Sequence, residues 1–125
     1  MEQPFTHAEA YEFSPEDVQQ NKAMAILAYF IFFLPLVAAK DSRFARYHAN
    51  QGLIVFIAYV ALYIVQLILS AILFAGLAFG VFAIVSLLFT LLYLGLLVLL
   101  ILGIVNAAQG KAKPVPVIGG FTLIK

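Results

Sequence analysis

The 125-residue chain is 65% hydrophobic and 10% charged, with a formal net charge of +1 and a mean hydropathy of +1.07. A soluble domain is about half apolar and about a quarter charged, so this composition belongs to a protein dissolved in lipid. The small net charge argues against nucleic acid as a partner, which would need a basic surface for its phosphates. With no cysteine in the chain, thiolate metal sites are excluded.

The first stretch, "MEQPFTHAEAYEFSPED", is acidic where a cleaved secretory signal would be basic. Residues 1–13 read as an acidic flexible tail and residues 14–125 as a single membrane domain. "SPED" marks a helix start: Ser14 can cap, Pro15 suits the first helical position, and Glu16 and Asp17 favour the positive end of the dipole. Between Lys22 and Lys40 lies an apolar window that predicts a first span over 23–39, at the short end for a crossing. Pro35 falls inside it and is expected to kink or end the helix. A re-entrant or interfacial helix is the alternative.

Next comes "RFARYHANQGLIVF", residues 43–56, where a cluster of polar side chains precedes a long apolar run. "DSRFARYHANQG" is expected to extend the following span backwards as an interfacial helical segment, capped by Asp41 or Ser42, with Phe44 and Tyr47 on its apolar side. Arg43, Arg46, His48, Asn50 and Gln51 are the candidate lipid- or partner-binding residues. Two readings compete. As an anchor, the arginines attract anionic headgroups at about 1 kcal/mol each. As a folded corner, Arg46 offers a planar fork, His48 both donates and accepts, and Gln51 closes a hydrogen-bond network with the first loop or the "PVPVIGG" tail. Pro114 and Pro116 prevent that tail from continuing a helix, which frees it to fold back. His48 reads as a hydrogen-bonding residue rather than a ligand, because the other histidine, His7, is expected across the membrane.

From Leu53 to Val105 the chain is too long for one crossing of about 20 residues and too short for three. Two spans are expected, at 52–75 and 81–106, followed by a short tail over 107–125. Gly76 and Gly80 supply the turn between them, although "GLAFG" also matches the GxxxG pattern of packed membrane helices. Tyr59, Tyr63, Gln66 and Ser70 share one helical face, and Ser86, Thr90 and Tyr93 share another. A reversal at Ala78 pairs Ser70 with Ser86, Gln66 with Thr90, Tyr63 with Tyr93, Ala61 with Gly95 and Asn50 with Asn106. This polar stripe is either interhelical glue or a track for a substrate. It holds no group that ionises near neutral pH, which argues against a proton or ion pump.

The fold class expected is an all-α integral membrane protein with three transmembrane helices, the last two forming an antiparallel hairpin. Lys40, Arg43 and Arg46 lie in the first loop and Lys111, Lys113 and Lys125 in the tail, whereas five of the six acids lie at the N-terminus. With three spans, the positive-inside rule places the first loop and C-terminus in the cytoplasm and the N-terminus outside an inner (plasma) membrane. Three helices bury little surface, so homo- or hetero-oligomers with other membrane proteins are expected, with the lipid bilayer and its anionic headgroups as further partners.

"RFARYHANQGL", preceded by "AILAYFIFFLPLV" and followed by "NAAQGKAKPVPVIGGF", resembles the small bacterial membrane proteins related to the Tic protein-import subunit of the chloroplast inner envelope. The resemblance covers about residues 14–122. It implies a multi-span helical inner-membrane protein and, for the plastid members, a role in a protein-translocating complex. The function expected is therefore a non-enzymatic component of a membrane translocation or transport assembly, with an accessory scaffold as the alternative. No nucleophile, base and orienting group come together in the sequence, so no catalytic residue, metal or cofactor is assigned.

Overall fold

The computed structural model describes residues 13–124, and every regular element among them is helical. The order is α1 (Pro15–Leu27), α2 (Leu34–Ala38), α3 (Arg43–Ala75) and α4 (Phe79–Ala108). The expected acidic tail lies outside the described residues except for Phe13.

α1 starts where "SPED" predicts. The Ser14 hydroxyl accepts from the Asp17 backbone N–H at 3.1 Å, with Pro15 in the first turn. It does not run on to residue 39. α1 stops at Leu27, residues 28–33 form turns, and α2 is a five-residue fragment. Pro35 cannot donate to residue 31 and its ring crowds that carbonyl, while the aromatic run Tyr29–Phe33 has low helix propensity. The freed rings find partners outside a helix: Phe32 packs edge-on to Phe33 and at 5.5 Å from Phe56 of α3.

The expected first span is not formed as one continuous helix. The Asp17 carboxylate, in the first turn of α1, accepts hydrogen bonds from the Ser42 hydroxyl and from the Phe44 N–H at 3.0 Å. A crossing between Asp17 and Ser42 would part them by about 30 Å of hydrocarbon. The segment after α1 lies against α3, with Phe32 at 5.5 Å from Phe56. Among the described residues two helices, α3 and α4, are long and apolar enough to cross a membrane, and the start of α1, the first loop and the start of the C-terminal tail share one end of their hairpin.

α3 is a continuous helix through "RFARYHANQG", capped by Ser42, whose hydroxyl accepts from Ala45 N–H at 3.0 Å. The hairpin reverses over residues 76–78, as the sequence predicts, but not by its glycines. Gly76 is the last half-helical residue and Gly80 lies within α4. Leu77 takes the left-handed conformation (φ 58°), while Leu77 N–H donates to Phe74 and Ala78 N–H to Leu73. That is a Schellman closure with leucine at the position glycine usually fills.

The hairpin registry is close to the expected one and differs in its pairs. The Tyr93 hydroxyl donates to Gln66 Oε1 at 2.6 Å, and its ring lies 5.3 Å from Tyr59. Tyr93 thus straddles the depth of Tyr63 instead of pairing with it. Thr90 donates to the Ser86 carbonyl in its own helix at 2.9 Å rather than to Gln66. A Cβ added at Gly95 would meet nothing within 4 Å, so this glycine is not required by a close packing contact on that side.

Burial divides the hairpin. Phe44, Ala45, Tyr47 to Gly52, Ile54 and Val55 are buried, and from Phe56 onward the large side chains of α3 are mostly exposed. The run from Phe56 to Ala75 rises about 30 Å, the thickness of a bilayer's hydrocarbon. The buried third, packed against α1 and the end of α4, lies beyond it.

Candidate functional site

The buried third of α3 carries the unusual chemistry. A row of polar side chains there is enclosed by α1 on one side and by the C-terminal tail on the other. What brings the tail back is the end of α4. Gly110 adopts φ 73°, its N–H donates to Ala107, and Lys111 N–H donates to Asn106 at 2.8 Å. This second Schellman closure uses glycine at the left-handed position, and Pro114 then keeps the chain extended.

Gln51, only 1% exposed, is bidentate to the tail. Its Oε1 accepts from Val115 N–H at 2.9 Å and its Nε2 donates to the Gly119 carbonyl at 3.2 Å. Asn50 continues the seam: Nδ2 donates to the Phe121 carbonyl at 2.9 Å, and Oδ1 accepts from Leu123 N–H at 2.6 Å and from Ile124 N–H at 2.9 Å. Asn50 therefore holds the tail and not Asn106. These two amides do for the tail what a neighbouring strand would do, matching backbone donors and acceptors that would otherwise lie buried and unpaired. Between Val115 and Gly119, the two residues that Gln51 holds, the tail bends sharply at Val117 (φ 73°), where Ile118 N–H donates to Pro116 at 2.8 Å, a strained γ-turn for a β-branched residue.

His48 sits one turn nearer the α3 N-terminus and is fully buried. Its Nε2 lies 2.8 Å from the Lys111 carbonyl and its Nδ1 2.6 Å from the Tyr29 hydroxyl. A carbonyl can only accept, so Nε2 carries the proton and Nδ1 accepts from the tyrosine. Burial, with a smaller contribution from Tyr47, pushes the Tyr29 hydroxyl well above its usual range and keeps it a donor. Three segments thus meet on one neutral imidazole: the turn after α1 through Tyr29, α3 through His48 and the start of the C-terminal tail through Lys111. Rings of Phe44, Tyr47 and Tyr29 surround it at 4.9 to 5.5 Å.

That arrangement has a pH consequence. Desolvation lowers the His48 pKa from 6.5 to about 4, outweighing the Lys111 carbonyl, which favours the proton. The unfolded chain takes up a proton near 6.5, whereas the folded chain resists until about 4. Stability is therefore full above about pH 7 and falls below it by about 1.4 kcal/mol per pH unit, to a limit of about 3 kcal/mol. Thermal unfolding in detergent between about pH 7 and about pH 5 should show this decline. His48→Gln, which can still donate and accept, should flatten it, and an unchanged slope in that variant would assign the pH dependence elsewhere.

Of the five candidates in "RFARYHANQG", His48, Asn50 and Gln51 turn into the protein. Arg43 is exposed, its guanidinium 5.5 Å from the centre of the Phe13 ring, and Arg46 is half-buried. The folded corner is thus built by the three uncharged residues. In the polar stripe, Gln66 and Tyr93 meet, while Tyr63 is exposed and Ser70 and Ser86 are half-buried. Sequence reasoning missed Tyr29, and it missed Asp17 as the carboxylate bridging α1 to the α3 N-terminus. It also missed Gly52 and Gly103, where α1 comes so close that a Cβ would strike the Ala28 carbonyl and the Tyr29 ring respectively. A glycine inside each apolar run was the available signal. No three acids, histidines or cysteines among the described residues are grouped to hold a metal.

The profile of the magnetosome magnetite crystal formation protein family matches residues 20–122. No curated protein and no solved structure matches the chain. The profile covers the clasp from Tyr29 through His48 and Gln51 to Phe121, together with the whole hairpin. It overturns the resemblance to the Tic-related import proteins, because the "RYHANQG" and "PVPVIGG" segments that carried that resemblance fall within this other family. The chain belongs to the magnetosome magnetite crystal formation protein family.

Proposed function

We propose that the protein is a two-span hairpin of the magnetosome membrane, its clasped end in the cytoplasm, and that it serves magnetite crystal formation as a non-enzymatic scaffold. The observation that carries this reading is the bond between Asp17 and the start of α3, which leaves α3 and α4 as the crossings. All Lys and Arg lie outside residues 47–110, so with two crossings they gather at the clasped end, and the positive-inside rule makes that end cytoplasmic. The N-terminal segment then lies inside as well.

The scaffold reading is favoured over a translocation or transport subunit by the polar stripe. Gln66 and Tyr93 satisfy each other, and Thr90 bonds to Ser86, which leaves few polar groups to line a path. The sides of the hairpin, by contrast, are apolar and exposed, fitting lipid and partner helices in a homo- or hetero-oligomer. Arg43 and Arg46 lie where anionic headgroups would meet them.

Topology is tested with single cysteines at Glu16 and Lys113, both exposed. In intact cells an impermeant thiol reagent should label neither, and after lysis it should label both. Labelling of the Glu16 position alone from outside would restore a third crossing and defeat the two-span reading. The role in mineral formation is tested by deleting the gene in a magnetite-forming cell and measuring crystal dimensions by electron microscopy. Restoration by the wild type but not by a Gln51→Leu chain supports the scaffold, and crystals unaffected by the deletion would refute it.

A further inference from the structure

The hairpin is not the same width along its length. At the turn over residues 76–78 two helices are present, closed by Phe74 packing on Phe79 and Phe82. At the depth of residues 50–56 of α3 the cross-section also holds the end of α1, the 28–33 turns and the C-terminal tail. Three contacts fix that depth: Ala28 against Gly52, Phe32 at 5.5 Å from Phe56, and the tail on Asn50 and Gln51. These added segments are apolar outward. Ile31, Phe33, Val117, Phe121 and Leu123 are all exposed, Val117 at 96% on its strained turn.

Such side chains are out of place on a water-facing end. They lie within about 9 Å along α3 of Phe56, where the exposed apolar belt begins, and their collar is continuous with it. Immediately above stand the charged and polar groups Asp17, Lys40, Arg43 and Lys111. An apolar collar under a polar cap at the limit of the hydrocarbon is the pattern of an interfacial insert, which buries its apolar face about 5–10 Å into the headgroup and acyl boundary.

We propose that this collar inserts into one leaflet and makes the protein a wedge that binds lipid surfaces convex toward its clasped end. The proposal rests on the two-span reading. The leaflet holding the collar must make room for five chain segments and the opposite leaflet for two helices. Lipid packing then favours a bilayer whose clasped-end leaflet has the larger area. The partner is a curved lipid surface, and the recognition is by area rather than by headgroup chemistry.

The experiment uses the full chain, with cysteine at Lys113 or at Glu16, reconstituted into vesicles of phosphatidylethanolamine and phosphatidylglycerol that are then separated by size. An impermeant thiol reagent reads which end faces out. The fraction of Lys113 cysteine labelled from outside should rise as vesicle radius falls, with the Glu16 cysteine following it. A Phe33→Ser/Val117→Asn/Phe121→Ser variant should lose that dependence while its tail stays as resistant to trypsin as in the wild type. If that variant does not fold, Ile31→Ser/Leu123→Ser serves in its place, with a reduced dependence expected. Parallel labelling of both positions with no dependence on radius, or an undiminished dependence in the folded variants, overturns the wedge and leaves the two-span reading standing. Opposite labelling of Glu16 and Lys113 cysteines overturns both.

Discussion

Gly52→Ala should unseat α1 from the hairpin and lower the stability of the detergent-solubilised protein by about 1–3 kcal/mol, the range for forcing an added group into a packed site. The added Cβ would overlap the Ala28 carbonyl oxygen and press on its carbon, and both are backbone atoms that no rotamer change can move. Alanine is the better helix former by about 1 kcal/mol, so the expected loss is what remains after that gain. Displacing Ala28 also displaces Tyr29, the next residue, and with it the hydrogen bond to His48. The control is Gly95→Ala, at a helical position where a Cβ meets nothing and where the same change should stabilise by about 0.5–1 kcal/mol. Thermal unfolding of the two variants beside the wild type should therefore move in opposite directions. A Gly52→Ala protein that melts at or above the wild-type temperature would show that α1 is not seated on α3 at this depth.

Gln51→Leu should release the C-terminal tail. Leucine fills a similar volume but leaves the Val115 N–H and the Gly119 carbonyl without the partner that Gln51 gives each of them. Each buried polar group left unpaired costs about 1–3 kcal/mol, so the local loss for the two is about 2–6 kcal/mol, enough to open the tail without unfolding the hairpin. Trypsin reads the result directly, since Lys111 stands just before the seated segment and cleavage after it requires the chain to open, whereas the bond from Lys113 to Pro114 is not a tryptic site. The variant should be cut there much faster than the wild type, with the fragment from α1 to α4 remaining intact. Gln51→Glu, which keeps the acceptor for Val115 but loses the donor for Gly119, should fall between the two. Equal cleavage of Gln51→Leu and wild type would mean that the tail is held by Asn50 alone.

Asn50 and Gln51 show how far the sequence could be read. A membrane chain with an asparagine and a glutamine at the mouth of an apolar run must satisfy several donors and acceptors there, and the "PVPVIGG" tail, barred from helix by its prolines, was a natural partner. The pairing between the two was legible as a class of contact. Its atoms were not, because amide side chains reach in any direction until the backbone around them is placed. The lipid-anchor reading gave undue weight to the arginines: charge is visible in a sequence, whereas burial of uncharged polar groups is not.

The helix expected over residues 23–39 ends early for a related reason. Hydropathy places residues 23–39 in an apolar environment, and Ala25, Ala28 and Tyr29 find it by burial against the hairpin, whereas Phe30, Phe33 and Val37 are exposed. It does not tell a wall of lipid from a wall of helices. Pro35 and the run of phenylalanines were the local evidence against a continuous helix, yet the charge rule applied to three spans returned a self-consistent topology and outweighed them. With two spans the same rule is satisfied again, which shows that loop charges alone do not count the crossings.

Composition and periodicity by themselves determined that the protein is helical and apolar enough to live in a membrane, that α3 and α4 form a hairpin reversing near Ala78, and that α1 begins at Ser14. These depend on local forces, namely capping, chain stiffness and the transfer of long apolar runs, which act over a few residues and are written in order along the chain. Only the tertiary structure decided that the start of α1 meets the start of α3, that His48 is a neutral junction of three segments, and that a Cβ would be blocked at Gly52 and free at Gly95. Those features depend on which surfaces meet. The Asp17 carboxylate finds the Ser42 hydroxyl 25 residues away, and His48 finds the Lys111 carbonyl 63 residues away. Contacts at such separation follow from packing the whole chain, because each helix offers several faces of similar hydrophobicity and the choice among them is made by shape.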